Sequence, residues 1–240
     1  MKIVNCKQGT AQWFQLRAGC CTGSKCADIM AFLKNGKGET QKRADYRAQI
    51  VCEILTGAPD MDGYVSPYMQ WGTDQEPFAR AAYELKTGAD IDQVGFVSHD
   101  TIMRMGGSPD GLVDDDGIIE IKAPKTSTHI SWMLDGSVPA EHEPQMSFYL
   151  SCTGRKWADF ISFDPRLPEP LQLFVKRLQR NEERIAEIEA AVKQFHIEVD
   201  GTIDRLREIC GDFTIPAQMI EAPNLPEDGF LTEADFEGLL

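Results

Sequence analysis

Apolar and polar positions change their period several times along this chain, and each change marks an element. Trp157 to Phe163 reads W-A-D-F-I-S-F, rich in aromatic and apolar residues, and predicts a strand that ends at Asp164-Pro165-Arg166. Residues 171–178 predict another strand. Beyond Asn181 the period turns helical: Ile185, Ile188, Val192, Phe195, Val199, Thr202, Leu206 and Ile209 repeat at threes and fours until Gly211 stops the helix. A heptad-like seam of this kind faces either a second chain or the sheet of its own chain. Upstream, Phe78, Ala81, Ala82 and Leu85 predict a helix over residues 73–85. Trp71-Gly72 punctuates the chain before it, Thr73 or Asp74 caps it, and Pro77 lies in its first turn. Three strands follow, around residues 94–98, 102–105 and 112–122, the last folded back as a hairpin. A helix over residues 139–152 carries Gln145 and Tyr149 four apart, on one face. Near the start, Thr10 or Gln12 opens a helix containing Trp13, Leu16 and Arg17, and Thr22-Gly23-Ser24 interrupts before a helix over residues 25–32. Helix, three strands, helix and strand predict an α/β fold with a mixed β-sheet flanked by helices. Residues 1–210 form the domain, closed by the long C-terminal helix, and residues 211–240 form an acidic, Pro-containing tail.

Candidate chemistry concentrates in Gly107-Ser-Pro-Asp-Gly-Leu-Val-Asp-Asp-Asp-Gly-Ile-Ile-Glu-Ile-Lys-Ala-Pro124. Asp114 to Gly117 reads as a tight turn in which Asp-Gly supplies the positive φ. Along the second strand side chains alternate, so Glu120 and Lys122 share one face while Ile119 and Ile121 take the other. The hairpin returns Asp110 to that polar face. Two carboxylates with open positions suit Mg²⁺, a hard cation that prefers oxygen ligands. An adjacent ammonium would orient an attacking water and neutralise charge on a phosphoryl group. The same residues also fit a plain acidic turn with a Glu–Lys pair on a solvated face. An EF-hand does not fit, because the glycine and the closing Glu fall at the wrong offsets.

Charge sharpens the picture. The 240 residues carry a net −14, and residues 197–240 hold 11 acids against 2 bases. A passive nucleic-acid coat is disfavoured more than an enzyme with a local basic channel. Lys25, Lys34, Lys37, Lys42, Arg43 and Arg47 gather around Asn35-Gly36-Lys37-Gly38, either to track a nucleic-acid backbone or as a solvated loop. The P-loop pattern is absent. Ser24, at a helix start, either caps the helix or offers a phosphate a hydroxyl, with Arg17 as a bidentate partner. Glu76 either stabilises a helix start or serves the acidic site. The 7 Cys, an odd number without a CxxC pair, fit reduced thiols rather than a disulfide framework. No apolar run approaches a membrane span and no signal-peptide core precedes the first helix, so a cytoplasmic protein is expected.

Asp110 followed by Glu120-x-Lys122 is the PD-(D/E)xK nuclease signature, and the agreement extends beyond it. Gln12-Trp13-x-x-Leu16-Arg17-x-Gly19 with Thr22-x-Ser24, Trp71-Gly72-x-x-x-Glu76, Ser108-Pro109-Asp110-Gly111, Gln145-x-x-x-Tyr149 and Phe163-Asp164-Pro165-Arg166 occur in this order. Together, over about residues 8–198, they resemble the phage lambda exonuclease family, the YqaJ-like viral recombinases. The resemblance implies a restriction-endonuclease-like core. It implies an Mg²⁺-dependent exonuclease, with two ions and Mn²⁺ as a substitute, that digests one strand of linear double-stranded DNA from the 5′ end to 5′-mononucleotides. The 3′ overhang would pass to a single-strand annealing protein, and the chain would form a ring-shaped trimer. Asp110, Glu120, the Ile121 carbonyl and Glu76 become metal ligands, Lys122 positions water, and Gln145 and Tyr149 reach the active site or the strand. Arg17, Ser24 and Ser108 match a pocket for the 5′-phosphate. Thr128 stands where relatives carry a further Arg, leaving Lys125 or His129 as substitutes without its planar fork. Relatives with an iron–sulfur cluster have a cysteine trio after the core; here only Cys152 and Cys210 lie there, so no cluster is expected. The acidic tail, with its interspersed apolar residues, suits docking to the annealing partner. An endonuclease of the same fold and a non-catalytic DNA-binding adaptor are the alternatives.

Overall fold

The computed structural model describes residues 2–33, 38–60 and 67–216. In chain order the elements are β1 (Lys2–Val4), α1 (Ala11–Arg17), β2 (Cys21–Thr22), a 3₁₀ turn (Gly23–Lys25), α2 (Cys26–Ile29), α3 (Gln41–Thr56), α4 (Pro67–Thr87), β3 (Ile91–Asp92), β4 (Phe96–Ser98), β5 (Met105–Gly107), β6 (Gly111–Val113), β7 (Gly117–Lys122), α5 (Thr126–Asp135), α6 (Glu143–Thr153), β8 (Trp157–Phe163), β9 (Leu173–Gln179) and α7 (Glu182–Cys210). Two mixed sheets result, ordered β3-β6-β7-β8-β9 and β1-β4-β5-β2. In the larger sheet β6 and β7 form the antiparallel hairpin, β7 and β8 run parallel, and β9 closes antiparallel on β8.

The central strands are covered on both faces. Ile118, Ala158 and Phe160 point into a core shared with α6 and α7, whereas Ile119, Ile121, Ile161 and Phe163 pack beneath Ala79 and Tyr83 of α4. Burial on both faces explains why β7 reads as a nearly continuous apolar run interrupted by Glu120. Tyr83 donates its hydroxyl to Asp159 on β8 at 2.7 Å, and Arg177 on β9 grips the same carboxylate, so α4 is pinned over the sheet. The hairpin turn places positive φ at Asp114 (44°) rather than at its glycine. Gly117 opens β7, where the Trp157 ring leaves no room for a Cβ.

Several helices differ from their expected bounds. α4 begins at Pro67, so Trp71-Gly72 lies inside it and Glu76 sits well beyond its first turn. Its buried face is Ala79 and Tyr83, while Phe78 and Leu85 are exposed, Leu85 by 90%. Of the expected apolar stripe only Ala82 packs toward the sheet, and Phe78, Ala81 and Leu85 face away from it. The helix expected over residues 25–32 is a four-residue α2 after the 3₁₀ turn, and Ser24 lies in that turn without acting as a cap. α6 starts at Glu143, and α5, unforeseen in the polar run after Pro124, precedes it. The strand expected at residues 102–105 begins only at Met105, because Arg104 takes a left-handed φ of 55°.

α7 follows its sequence closely. The Asn181 side chain accepts from the Glu183 and Arg184 N–H groups, and Gly211 ends the helix. Its seam turns inward: Ile185, Ile188, Val192, Phe195 and Val199 are buried in this chain's own core. A straight helix drifts from a strict heptad, so Ile203 replaces Thr202 in the core and Ile209 is left exposed. The basic cluster is also redirected. Arg43, 2% exposed, donates to the Ile29 carbonyl, Glu39 and Glu198, and Arg47 joins the same two glutamates. These arginines fasten α3 to α7 and are not available to a nucleic-acid backbone. Lys34, Asn35, Gly36 and Lys37 lie outside the described residues, as does the tail from residue 217. All seven cysteines are free thiols.

Candidate active site

Asp110 immediately precedes β6, and its N–H donates to the Ile119 carbonyl, extending the hairpin ladder by one step. Its Oδ2 accepts the Ile121 N–H at 2.6 Å. The hairpin thus delivers Asp110 to the end of β7, where Glu120, 1% exposed, bonds through Oε1 to the Lys122 ammonium. The other oxygen of Glu120 is buried and has no hydrogen-bond partner among the described residues. A buried carboxylate oxygen without a donor is costly unless a cation or proton completes it.

The electrostatics carry the mark of crowded acids. Burial pushes Glu120 up to about 7, with Asp110 and Glu76 adding to the rise against the opposing charge of Lys122. Burial likewise raises Glu76 to about 7, reinforced by Asp110 and countered by Arg80 and Lys122. Asp110 is raised by burial against Lys122, the Ile121 N–H and Arg80. Burial disfavours the Lys122 ammonium, yet Glu120, Asp110 and Glu76 outweigh it and hold its pKa above the ordinary lysine value. Lys122 is therefore a charged donor, not a base. Among the described residues no three His, Cys, Asp or Glu side chains are gathered closely enough to hold a metal ion between them. Glu76 stands within electrostatic reach of the hairpin pair.

Two neighbours were not singled out in the sequence. Arg80, one turn beyond Glu76 on α4, donates to the Asp110 carbonyl at 3.1 Å and keeps a buried Nε that finds no acceptor among the described residues. His142 stacks on Phe160 and meets Trp132 edge-on. Burial and then the Lys122 charge lower its pKa to about 4, so it is neutral beside the site. Neither belongs to a motif; only the packing of α4 and α6 against the sheet brings them in.

The residues expected to seat a phosphate are partly assembled. β2 runs parallel to β5, pairing Thr22 with Gly106. Gly23 and Gly107 consequently flank the Tyr149 ring so closely that a Cβ on either would lie 2.3 or 2.4 Å from it. Ser108 follows Gly107 and accepts the Trp13 indole N–H at 2.8 Å, and the Arg17 guanidinium lies 4.3 Å over the Trp13 ring. Ser24 is exposed beside Thr22, 3.5 Å between hydroxyls. Gln145 donates to the Tyr149 hydroxyl at 3.2 Å. Burial, then the charges of Glu120 and Asp110, raise the pKa of that phenol, which stays neutral next to the carboxylates. His129 is excluded as a phosphate ligand: it is fully buried, bonded to Ser162 and the Leu171 carbonyl. Lys125 precedes α5 with its ammonium 4.9 Å over the Tyr68 ring.

The sequence and the mixed α/β fold place the chain in a class of viral recombination proteins. The YqaJ-like viral recombinase domain matches residues 12–156, and the chain belongs to that family. It is similar to the alkaline exonuclease LHK-Exo from Laribacter hongkongensis, at 41% identity over 83% of this chain and 97% of the other, with a TM-score of 0.76. The LHK-Exo complex with dAMP gives 42% identity over the same shares and a TM-score of 0.77. A phage-related exonuclease from Haemophilus somnus 129PT shares the fold, with a TM-score of 0.62 at 18% identity over 78% of this chain and 96% of the other. Among curated proteins the sequence finds no match.

Proposed function

We propose that this chain is a metal-dependent exodeoxyribonuclease that digests one strand of linear double-stranded DNA from its 5′ end, releasing 5′-mononucleotides and leaving a 3′ overhang for strand annealing. The observation that carries the reading is the buried Glu120 oxygen without a donor, set beside Asp110 and a charged Lys122. Kinship with an alkaline exonuclease, one structure of which holds dAMP, supports a nuclease role.

The donor set fits Mg²⁺: it is all oxygen, anionic, and leaves one buried acceptor uncommitted. Asp110, Glu120, the Ile121 carbonyl and Glu76 would hold it, as two ions, with Mn²⁺ able to substitute. When bound, the metal would supply Lewis-acid polarisation of the phosphate and acidify the attacking water. The chain's own residues do the rest. Lys122, whose ammonium the neighbouring carboxylates favour, orients water and offsets charge developing on the phosphoryl oxygens. Gln145, held by the Tyr149 hydroxyl, aligns the strand or the water. Arg17, Ser24 and Ser108 seat the terminal phosphate and so set the direction of digestion. Thr128 at the position of the missing Arg predicts a modest preference for 5′-phosphoryl over 5′-hydroxyl ends, with Lys125 supplying the remaining charge. In the host cytoplasm the enzyme would act as a ring trimer beside an annealing protein bound through residues 217–240.

Linear duplex labelled at either end, with 5′-phosphoryl or 5′-hydroxyl termini, tests polarity, and covalently closed circular duplex tests the need for an end. Loss of the 5′ label first, with circles intact, is expected. Cut circles would convert the reading to an endonuclease.

A further inference from the structure

Behind α1 lies a cavity of about 220 Å³, and no residue of the acidic hairpin lines it. Its walls come from α1, the end of α3, β4 and the turn that leads into β5. Phe96, Ile102 and Met105 are its buried lining, Leu16 is half-buried beside them, and Met103 is 79% exposed. Lys2 and Arg104 balance Glu53 and Asp100 in the lining, so an apolar guest suits the cavity better than a charged one. The chain returns to this place after α7. Arg207 lies 5.4 Å over the Phe213 ring, and Phe213 and Ile215 pack against the main core. Pro216 then meets Gly57, where an added Cβ would come within 3.0 Å of the proline ring. Gly57 caps α3 and itself lines the cavity, and its carbonyl accepts the side-chain N–H of Gln15, another lining residue, at 2.7 Å. Residue 217 therefore leaves from the edge of the cavity.

An apolar cavity of about 150 Å³ accepts a benzene ring, so 220 Å³ has room for two aliphatic side chains. The sequence after Pro216 reads Ala217-Gln218-Met219-Ile220-Glu221, which puts two large apolar residues within four positions. Four residues span at most about 14 Å, enough to enter from Gly57. From this geometry we infer that Met219 and Ile220 dock in the cavity of their own chain and anchor the root of the acidic tail. Burial of the two side chains drives the contact. So short a tether sets their local concentration on the order of millimolar, and weak intrinsic affinity is then sufficient. α1 has no fully buried side chain of its own. It presents Gln15 and Leu16 to the cavity, while Arg17 stacks on Trp13 at the proposed phosphate pocket. The docked pair thus braces, from behind, the helix that carries Arg17. Docking of this kind is independent of the nuclease reading, and it leaves residues 221–240 for the annealing partner.

The test is methyl NMR on the full chain, labelled with carbon-13 at the methyl groups of Met and Ile. Nuclear Overhauser contacts are expected from the Met219 and Ile220 methyls to those of Ile102 and Met105. The double substitution Met219→Ser with Ile220→Ser should remove these contacts and shift the Ile102 and Met105 signals. Signals of Met146 and Ile118, buried in the main core away from the cavity, should stay where they are, which shows that the fold is intact. Absence of any contact in the full chain would leave the cavity to an external partner and overturn the inference. Cavity signals that ignore the double substitution would do the same. A mixture of chains labelled only at Met with chains labelled only at Ile separates the remaining occupant. No contact between Met219 and Ile102 is expected there; its appearance would give the cavity to the tail of a second copy and contradict docking within one chain.

Discussion

Glu120 illustrates how one residue can be structurally unfavourable and chemically useful. Its carboxylate is held in a site that raises its pKa to about 7, as Glu76 is raised nearby. A group whose folded pKa lies above its unfolded value stabilises the protein fully below the unfolded pKa, near 4.5. That contribution is lost as pH rises through the folded value. Without metal, Glu120→Gln should therefore gain thermal stability relative to the parent chain as pH rises from about 4.5 to about 7, read as a widening difference in Tm. His142 and His196 act in the opposite sense in each protein, losing stability as pH falls from 6.5 toward 4. The difference between the two proteins removes the histidine contributions and leaves Glu120 together with the charges it interacts with, Asp110, Glu76 and Lys122. A constant difference would refute the assignment. Arg80 provides a second residue-scale expectation. Its charge opposes a cation while its bond to the Asp110 carbonyl positions the hairpin. Arg80→Gln should lower kcat about 10-fold, some 1.4 kcal/mol, yet reach half-maximal activity at lower Mg²⁺. An unchanged Mg²⁺ requirement would deny Arg80 that electrostatic role.

At this scale the sequence disclosed what is local. Asp110, Glu120 and Lys122 belong to one hairpin, and strand alternation alone puts Glu120 beside Lys122. Arg80 and His142 were invisible because nothing in their spacing reports contact across the fold. His129 shows the converse: offered as a substitute for the Arg absent at Thr128, it proved to be a core histidine, since α5 was not foreseen and its inward face could not be assigned.

Elements differ in how clearly they were written. β8 and α7 follow their patterns almost residue for residue, because a long strand and a long capped helix each repeat a single period many times. α4 did not. It exposes Phe78 and Leu85, so periodicity pointed to them while packing chose Ala79 and Tyr83, with Ala82 beside them. Small residues there let the helix lie close on the sheet, which brings Glu76 and Arg80 over the hairpin. The same close approach governs Tyr149, wedged between Gly23 and Gly107. Gly107→Ala would drive a methyl into that ring. It should cost about 1–3 kcal/mol of stability, seen as a lowered Tm, together with reduced hydrolysis as Tyr149 and Gln145 shift. A variant as stable and active as the parent would show that the ring yields freely.

For the whole molecule, a net charge of −14 leaves little general attraction for DNA. Part of the expected basic surface is consumed internally by Arg43 and Arg47. Binding must then rest on cations close to the site, helped by assembly if the proposed ring forms. Light scattering is expected to give three times the mass of one chain; a monomer at working concentration would remove the ring from the account. Removal of residues 217–240 should abolish capture of the annealing protein while hydrolysis persists. Equal capture would show that the partner docks elsewhere.

Phosphodiester hydrolysis itself is the central claim. The most direct measurement is release of acid-soluble nucleotide from linear duplex DNA by the parent chain and by Lys122→Ala, each with Mg²⁺ and with EDTA. Release that requires Mg²⁺ and falls about 10²- to 10³-fold in Lys122→Ala, the scale of losing one charge-stabilising donor, is the predicted result. Equal release by the two proteins, or none from the parent chain in Mg²⁺ or Mn²⁺, would contradict it.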